Sequence, residues 1–309
     1  MSIIEKFIDK IGGNIDKTRD ESAHNLDQNT SHAASKATGL GTDNDFDTFE
    51  QSNLAVKKQA ENKTANKESG NRIVIDLDKL NKLGYLTPNT ENNMLFEQLR
   101  HIKLDLLARA FNKDIEVGKN RNVVMVSSAL EGEGKTFISL NLALAAAYEF
   151  NTTVLYIDAD VFKRESSKIV GLDGVPGLTD YLSDTSIELP KLMHKSNIST
   201  LNIISCGKVT DRVTELYSSD RMQSLINELS RRYNDRLIIL DSPPLLADSS
   251  TIALAKIVDQ VLVVVEAEKT NHNNIREALH KIKVKDNISF ILNKSNQRYS
   301  RDSYYYSYR

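Results

Sequence analysis

A turn of small residues at positions 127–136 has the composition of a phosphate-binding loop. The run SSALEGEGKT follows the apolar segment VVMV and precedes the helical run FISLNLALA. Gly132 and Gly134 allow successive backbone N–H groups to point toward phosphate oxygens. Lys135 can reach the terminal phosphates, and the Thr136 hydroxyl can bind Mg²⁺. The residues predicted to hold a nucleotide are Gly132, Glu133, Gly134, Lys135, Thr136 and Phe137.

The loop departs at its first position from the pattern G-x-x-x-x-G-K-[ST], because Ala129 stands where the pattern has glycine. Alanine narrows the backbone conformations that are accessible there but keeps the side chain small. A GKT triplet also occurs by chance in ordinary loops. The strand pattern before the triplet and the helix pattern after it favour a phosphate site over chance.

Carboxylates follow two other apolar segments, at the points where those strands would end. Asp158 and Asp160 follow VLYI, and Asp241 follows LIIL. Because the carboxyl ends of parallel strands meet at one edge of a sheet, we expect all three near the phosphate loop, where carboxylates hold Mg²⁺ and its waters. This pattern predicts phosphoryl transfer or hydrolysis. The predicted metal residues are Thr136, Asp158, Asp160 and Asp241, and the predicted catalytic residues are Lys135, Asp158 and Asp160.

Short apolar segments alternate with helical patterns over most of the chain. Segments that are apolar throughout are typical of strands buried on both faces. Their alternation with helices predicts an α/β fold with a doubly wound, mostly parallel sheet. A further helix is predicted over 91–110, after a short extended run and a turn at Gly84 and Pro88. The predicted strands span 123–126, 154–157, 201–205, 237–240, 261–265 and 288–292.

Composition excludes several classes of protein. The chain has 309 residues, and 40 Lys and Arg oppose 42 Asp and Glu, so no basic excess predicts a nucleic-acid partner. The single cysteine, Cys206, cannot form an internal disulfide or a zinc cage alone, which favours a cytoplasmic setting. No apolar run approaches the ~18 residues of a membrane span. We therefore expect a soluble protein.

Both ends of the chain differ from the central part. Residues 1–12 have the periodicity of a short amphipathic helix, which either packs on the body of the protein or docks on a membrane or partner. Residues 13–70 are poor in large apolar side chains and are predicted to be a disordered linker. The predicted catalytic domain covers 71–298. The tail, 299–309, contains five of the eleven tyrosines of the chain.

These motifs resemble those of the bacterial tyrosine kinases that accompany capsule and exopolysaccharide export. The resemblance covers about Asp76 to Tyr308 and rests on ALEGEGKT, IDAD, DSPP and the tyrosine cluster. The runs MSIIEK, IDLDKLNKLGYLTP and FEQLRHIKLDLL look more narrowly like the soluble autokinases of exosortase-linked exopolysaccharide clusters. The resemblance implies a P-loop fold of the MinD/ParA type and a protein-tyrosine kinase that uses ATP and Mg²⁺.

The resemblance also implies a role for each matching residue. Lys135 would bind the transferring phosphates, while Thr136 and Asp241 would hold the metal. Asp158 and Asp160 would bind the metal waters and accept the proton of the tyrosine hydroxyl. Asn293 matches an asparagine that reads adenine in related ATPases, although from the sequence alone it could equally cap a turn.

The family assembles into rings in which the tyrosine tail of one subunit enters the site of its neighbour. The residues that match the family's interface motif E-x-x-R-x-x-R are Glu97, Arg100 and Lys103. Lysine at the third position lacks the planar fork of arginine, so the contact would be weaker or differently shaped. The predicted phosphorylation sites are Tyr299, Tyr304, Tyr305, Tyr306 and Tyr308.

The partners that the resemblance implies are a second copy of the chain, a membrane chain-length determinant of the polysaccharide co-polymerase type, and a phosphotyrosine phosphatase. A separate membrane activator would bring a cytoplasmic kinase to the inner membrane as a peripheral protein. Phosphorylation of the tail would then loosen the ring, because each phosphate adds nearly two negative charges.

Two other functions fit parts of the pattern. A MinD/ParA-like positioning ATPase shares the sheet and the acidic motifs, but it carries a signature lysine at the position of Leu130 and lacks a polytyrosine tail. A nucleotide-binding scaffold of an export complex would assemble and disassemble with little chemistry. The full set of Lys135, Asp158, Asp160 and Asp241 argues against lost chemistry.

Overall fold

A computed structural model describes residues 71–88, 94–111, 120–149, 152–282 and 288–296. The predicted N-terminal helix, the linker and the tail tyrosines lie outside these residues. In the described part of the chain, no helix combines the length and the apolar character that a bilayer span requires.

The described residues form one eight-stranded sheet in the order β1-β4-β5-β3-β6-β2-β7-β8. Neighbouring strands are parallel except β4 and β5, which run antiparallel. The mostly parallel α/β fold is therefore confirmed. The strands are β1 (Asn71–Arg72), β2 (Val123–Ser128), β3 (Thr153–Asp158), β4 (His194–Lys195), β5 (Leu201–Ile204), β6 (Arg236–Asp241), β7 (Gln260–Glu266) and β8 (Ile288–Asn293).

Helices connect the parallel strands and cover the sheet. Several begin at a side chain that caps the first free N–H groups, as Asp76, Ser219 and Asn271 do. The helices described are α1 (Leu77–Lys82), α2 (Met94–Phe111), α3 (Lys135–Ala147), α4 (Glu165–Val170), α5 (Leu178–Ser183), α6 (Val213–Tyr217), α7 (Asp220–Arg232), α8 (Ser249–Ile257) and α9 (His272–Lys281).

The core lies around α3 and the central strands. Every residue of β2 is buried, and β3 and β6 are buried beyond their first residue, as expected for strands with both faces covered. Helix α3 is apolar on almost all sides and is buried nearly throughout. This rigid centre fixes the loop between β2 and α3, which carries the phosphate motif.

The six predicted strands are all present, with ends that differ by one or two residues. In the segment 71–88, strand β1 lies at the start of the predicted extended run, whereas helix α1 was not predicted. Ile75, Leu80 and Leu86 are buried in the core, and Leu86 N–H donates to Asn141 Oδ1 at 2.8 Å. The predicted turn at Gly84 is confirmed by its left-handed φ of 83°.

Candidate active site

The phosphate loop joins the end of β2 to the start of α3. Gly132 and Gly134 have φ values of 79° and 94°, which an L side chain adopts only at a cost. A Cβ at Gly134 would overlap Nδ2 of Asn293, which comes from the end of β8. The left-handed turn therefore favours glycine at position 134, and a Cβ there would also displace the Asn293 amide.

The lysine of the loop is paired with a carboxylate of the next strand-end loop. Lys135 Nζ lies 2.5 Å from Asp160 Oδ2, and both side chains are buried. Burial alone would lower the pKa of Lys135, but the negative charges of Asp241 and Asp160 outweigh it and raise the pKa above its usual value. Lys135 is therefore a permanent positive charge at the loop.

Asp158 has a different set of contacts from Asp160. Its Oδ1 accepts Asp160 N–H at 3.1 Å, and its Oδ2 accepts both N–H and Oγ–H of Ser167, at 2.9 and 2.6 Å. Burial raises the pKa of Asp158 above its usual value, and the bonds from Ser167 oppose the rise. Asp158 thus holds the first turn of α4 against the site, while Asp160 faces the lysine.

Asp241 lies at the end of β6, directly beside Asp158 in the register of β3 and β6. It is buried, and its Oδ1 has no hydrogen-bond partner among the described residues. Burial raises the pKa of Asp241 to about 7, although Lys135 and Thr136 favour the charged form. This oxygen is buried beside the phosphate loop without a partner. A hydrated cation bound there would supply the missing interaction.

These residues fit Mg²⁺ bound together with nucleotide phosphates. Mg²⁺ normally takes one or two carboxylates, substrate phosphates and several waters, and seldom an all-protein cage. The described residues contain no group of three His, Cys, Asp or Glu side chains that would hold an ion unaided. Thr136 and Asp241 would contact such an ion, and the metal residues Thr136, Asp158, Asp160 and Asp241 stay a prediction.

Asn293 and Phe137 lie at the loop, but the contacts of their side chains are with the protein. Asn293 Nδ2 donates to the backbone oxygen of Glu133 at 2.8 Å, and its Oδ1 accepts Lys294 N–H at 2.9 Å. The Phe137 ring packs on Tyr85, with ring centroids 5.1 Å apart. A role for Phe137 in nucleotide binding would therefore use its backbone, and adenine recognition by Asn293 stays a prediction.

Two residues that hold the loop from the outer strands were not predicted from the sequence. Lys294 Nζ donates to the backbone oxygen of Gly132 at 2.6 Å, and the Thr270 hydroxyl donates to the Glu133 carboxylate. Their only signal in the sequence is position, since they follow the ends of β8 and β7. Of the described residues, Arg164, Glu268 and Lys294 are the non-glycines with left-handed φ, and all three lie in loops at this edge.

The three predicted interface residues do not share one environment. Glu97 and Arg100 are exposed on α2 and lie 3.8 Å apart as an i,i+3 pair. Lys103 is only 2% exposed, and its ammonium pairs with Glu149 of the same chain. Burial lowers the pKa of Lys103, as expected for an amine withdrawn from water. The ring contact therefore stays a prediction for Glu97 and Arg100, whereas Lys103 faces the interior of its own chain.

The chain is similar in sequence to known protein families. A family model described as an AAA domain matches residues 121–294. The putative tyrosine-protein kinase EpsB of Ralstonia nicotianae is 32% identical over 194 residues, which are 61% of this chain and 25% of that protein. The tyrosine-protein kinase YwqD of Bacillus subtilis is 30% identical over 192 residues, which are 61% of this chain and 79% of that one.

A solved structure shares the fold. The kinase domain of the Escherichia coli tyrosine kinase ETK superposes with a TM-score of 0.58 and 24% identity, covering 74% of this chain and 92% of that domain. The match to EpsB spans about a quarter of that protein, whereas the match to YwqD spans most of its length.

Proposed function

Because this chain belongs to the family of bacterial tyrosine-protein kinases, with an AAA domain at 121–294, we propose that it transfers phosphate from ATP to protein tyrosine. One observation carries the proposal. The buried Lys135 of the phosphate loop meets carboxylates from the ends of two neighbouring strands, Asp160 after β3 and Asp241 at the end of β6. The carboxylates stabilise the buried ammonium of Lys135 when no ligand is bound, and the same ammonium can bind a phosphate.

When they are bound, ATP supplies the phosphoryl group and Mg²⁺ supplies positive charge that neutralises the phosphate oxygens. Lys135 adds a fixed positive charge at the end of the loop, and the Thr136 hydroxyl together with Asp241 Oδ1 would hold the ion. Asp160, next to the lysine, accepts the proton of the attacking tyrosine hydroxyl at its carboxylate. Asp158 positions the loop by holding Ser167.

The acceptors that we propose are the tail tyrosines Tyr299, Tyr304, Tyr305, Tyr306 and Tyr308 of a neighbouring copy. A cluster of closely spaced tyrosines suits repeated modification of one chain by another. Glu97 and Arg100, both exposed on α2, are the side chains proposed to meet that neighbour. A kinase of this kind would regulate exopolysaccharide polymerisation and export, with a membrane chain-length determinant as activator and a phosphatase to reset the tail.

The test is phosphosite mapping by mass spectrometry after incubation of the purified chain with ATP and Mg²⁺, beside Lys135→Ala. Phosphate on the tail tyrosines of the parent, and none on the variant, is the expected result. Bound or hydrolysed ATP without any phosphotyrosine, both alone and with the cytoplasmic segment of a chain-length determinant, would refute the kinase and favour the positioning ATPase or the scaffold. Repeating the incubation with the cytoplasmic segment of a chain-length determinant tests whether activity requires that partner.

A further inference from the structure

Glu133 is a carboxylate in the middle of the phosphate loop, where a negative charge opposes phosphate binding. Its side chain is withdrawn from solvent, with only 1% of the residue exposed. A carboxylate is stable in such a place only when hydrogen-bond donors surround it. Glu133 has three of them. Oε2 accepts Leu130 N–H at 2.7 Å, and Oε1 accepts Glu266 N–H at 3.3 Å and the Thr270 hydroxyl.

These donors come from two separate parts of the chain. Leu130 belongs to the phosphate loop itself, whereas Glu266 ends β7 and Thr270 lies in the turn that follows. The carboxylate of Glu133 therefore joins the loop to a strand end more than a hundred residues away in sequence. Because β7 is buried except at its last residue, and pairs with β2 over Gln260–Val264 and with β8 as far as Glu266, this strand end is a fixed point for the loop.

Side chains at the end of β8 hold the same loop by donating hydrogen bonds to the backbone oxygens of the loop. Asn293 Nδ2 donates to Glu133 O at 2.8 Å, and Lys294 Nζ donates to Gly132 O at 2.6 Å. Lys294 also pairs with Glu266 at 3.2 Å, which ties the two strand ends to each other. The loop is therefore attached along its outer side to both strands.

We propose that Glu133 is a positioning residue that sets the shape of the phosphate loop for a nucleotide by joining Leu130 to Thr270. The proposal rests on the function given above in one respect, that the ligand is a nucleoside phosphate. A negative side chain cannot attract phosphate, so its contribution passes through the loop backbone. A loop that spends less time in its binding shape binds ligand more weakly in the same proportion.

Thr270 is the best position for the test, because its substitution leaves every charge of the loop in place. Thr270→Val keeps the shape of the side chain and removes the hydroxyl donor, whereas Thr270→Ser keeps the donor. Thr214→Val is a matched control. Thr214 is also half-buried and shares a side-chain hydrogen bond, with Ser249 at 3.1 Å, but it lies on α6 away from the loop contacts.

Two measurements read out the loop without any phosphate transfer. Calorimetry gives the affinity for ADP with Mg²⁺, and hydrogen exchange of the protein without added nucleotide gives the protection of the Leu130 amide. We expect Thr270→Val to weaken ADP binding about tenfold, the effect of one charge-assisted hydrogen bond, and to speed exchange at Leu130. Thr270→Ser and Thr214→Val should behave like the parent.

Equal ADP affinity of Thr270→Val and the parent would overturn the proposal, whatever the exchange rates are. Equal losses of ADP affinity in Thr270→Val and Thr270→Ser would also overturn the proposal, because the loss of the hydroxyl would then not explain the weaker binding. A thermal melt of each variant shows whether the fold is retained. The outcome is separate from that of the kinase test, since ADP affinity can be compared even in a chain that makes no phosphotyrosine.

Discussion

Lys135 Nζ and Asp160 Oδ2 lie 2.5 Å apart and form a buried ion pair between the phosphate loop and the loop after β3. The pair joins two motifs of the proposed reaction, in which Lys135 would bind phosphate and Asp160 would accept the proton of the tyrosine hydroxyl. It also means that the charges of the site stabilise each other before any ligand arrives.

The first prediction concerns the stability of this pair. Lys135→Met leaves the buried Asp160 without its counter-charge, and we expect the free energy of unfolding to fall by about 3 kcal/mol. Asp160→Asn should also destabilise the chain, because Lys135 then loses its closest partner. The double variant should lose much less stability than the sum of the losses in the two single variants, as measured by urea unfolding at neutral pH. Additive losses would show that the two residues are not coupled.

The second prediction compares two glycines with left-handed φ. Gly171→Ala introduces only backbone strain, about 1–2 kcal/mol, because no atom lies within 4 Å of the added Cβ. Gly134→Ala adds an overlap with Asn293 to the same strain. We expect Gly134→Ala to abolish ADP binding and Gly171→Ala to retain it, as measured by calorimetry. Similar ADP affinities of the two variants would contradict the close approach of Asn293 to the loop.

The third prediction separates the residues of α2. Arg100→Ala should shift the oligomer distribution, measured by light scattering on a sizing column, with little effect on the melting temperature. Lys103→Ala should lower the melting temperature, because it removes the partner of Glu149 and leaves a gap in the interior. An oligomer defect in Lys103→Ala at an unchanged melting temperature would contradict the inward position of Lys103.

The fourth prediction concerns His194 on β4. The side chain is buried, neither ring nitrogen has a hydrogen-bond partner among the described residues, and burial lowers the pKa of the imidazole. The folded state therefore keeps His194 neutral while the unfolded state takes up a proton, so stability is lost as the pH falls through the unfolded pKa of about 6.5.

Urea unfolding between pH 8 and pH 5 checks this expectation. His194→Leu should lose less stability on acidification than the parent does. His280→Gln is the control, because His280 is exposed on α9 and its substitution should leave the parent's behaviour unchanged. The same loss in His194→Leu and the parent would show that other groups cause the acid sensitivity.

The central sheet and the position of the phosphate site could be predicted from the sequence, because each rests on a strong local signal. Six strands are short, mostly apolar runs, and a glycine-rich turn with a lysine follows one of them. The two-residue strands β1 and β4 give no such signal, since pairs as short as His194 and Lys195 have no periodicity to detect. Their pairing depends on the rest of the sheet.

Contacts distant in sequence account for the other differences. Lys103 has the spacing of an exposed charge on α2, yet its stem lies in the core and its ammonium meets Glu149, just beyond α3. Glu133 and Thr270 are likewise ordinary loop residues until the fold joins them. No local pattern encodes such pairs, so the inward lysine and the attachment of the phosphate loop could be found only in the structure.

The most direct test of the central claim mixes two variants of different mass. One carries Phe at Tyr299, Tyr304, Tyr305, Tyr306 and Tyr308 and keeps Lys135, while the other carries Lys135→Ala and keeps the tail. After incubation with ATP and Mg²⁺, intact-mass analysis should show phosphate on the Lys135→Ala chain in the mixture. The same chain incubated without the other variant should carry none. A Lys135→Ala chain that stays unmodified in the mixture, while the parent becomes phosphorylated alone, would contradict transfer between copies. Absence of phosphotyrosine in the parent as well, with and without the cytoplasmic segment of a chain-length determinant, would contradict the kinase itself.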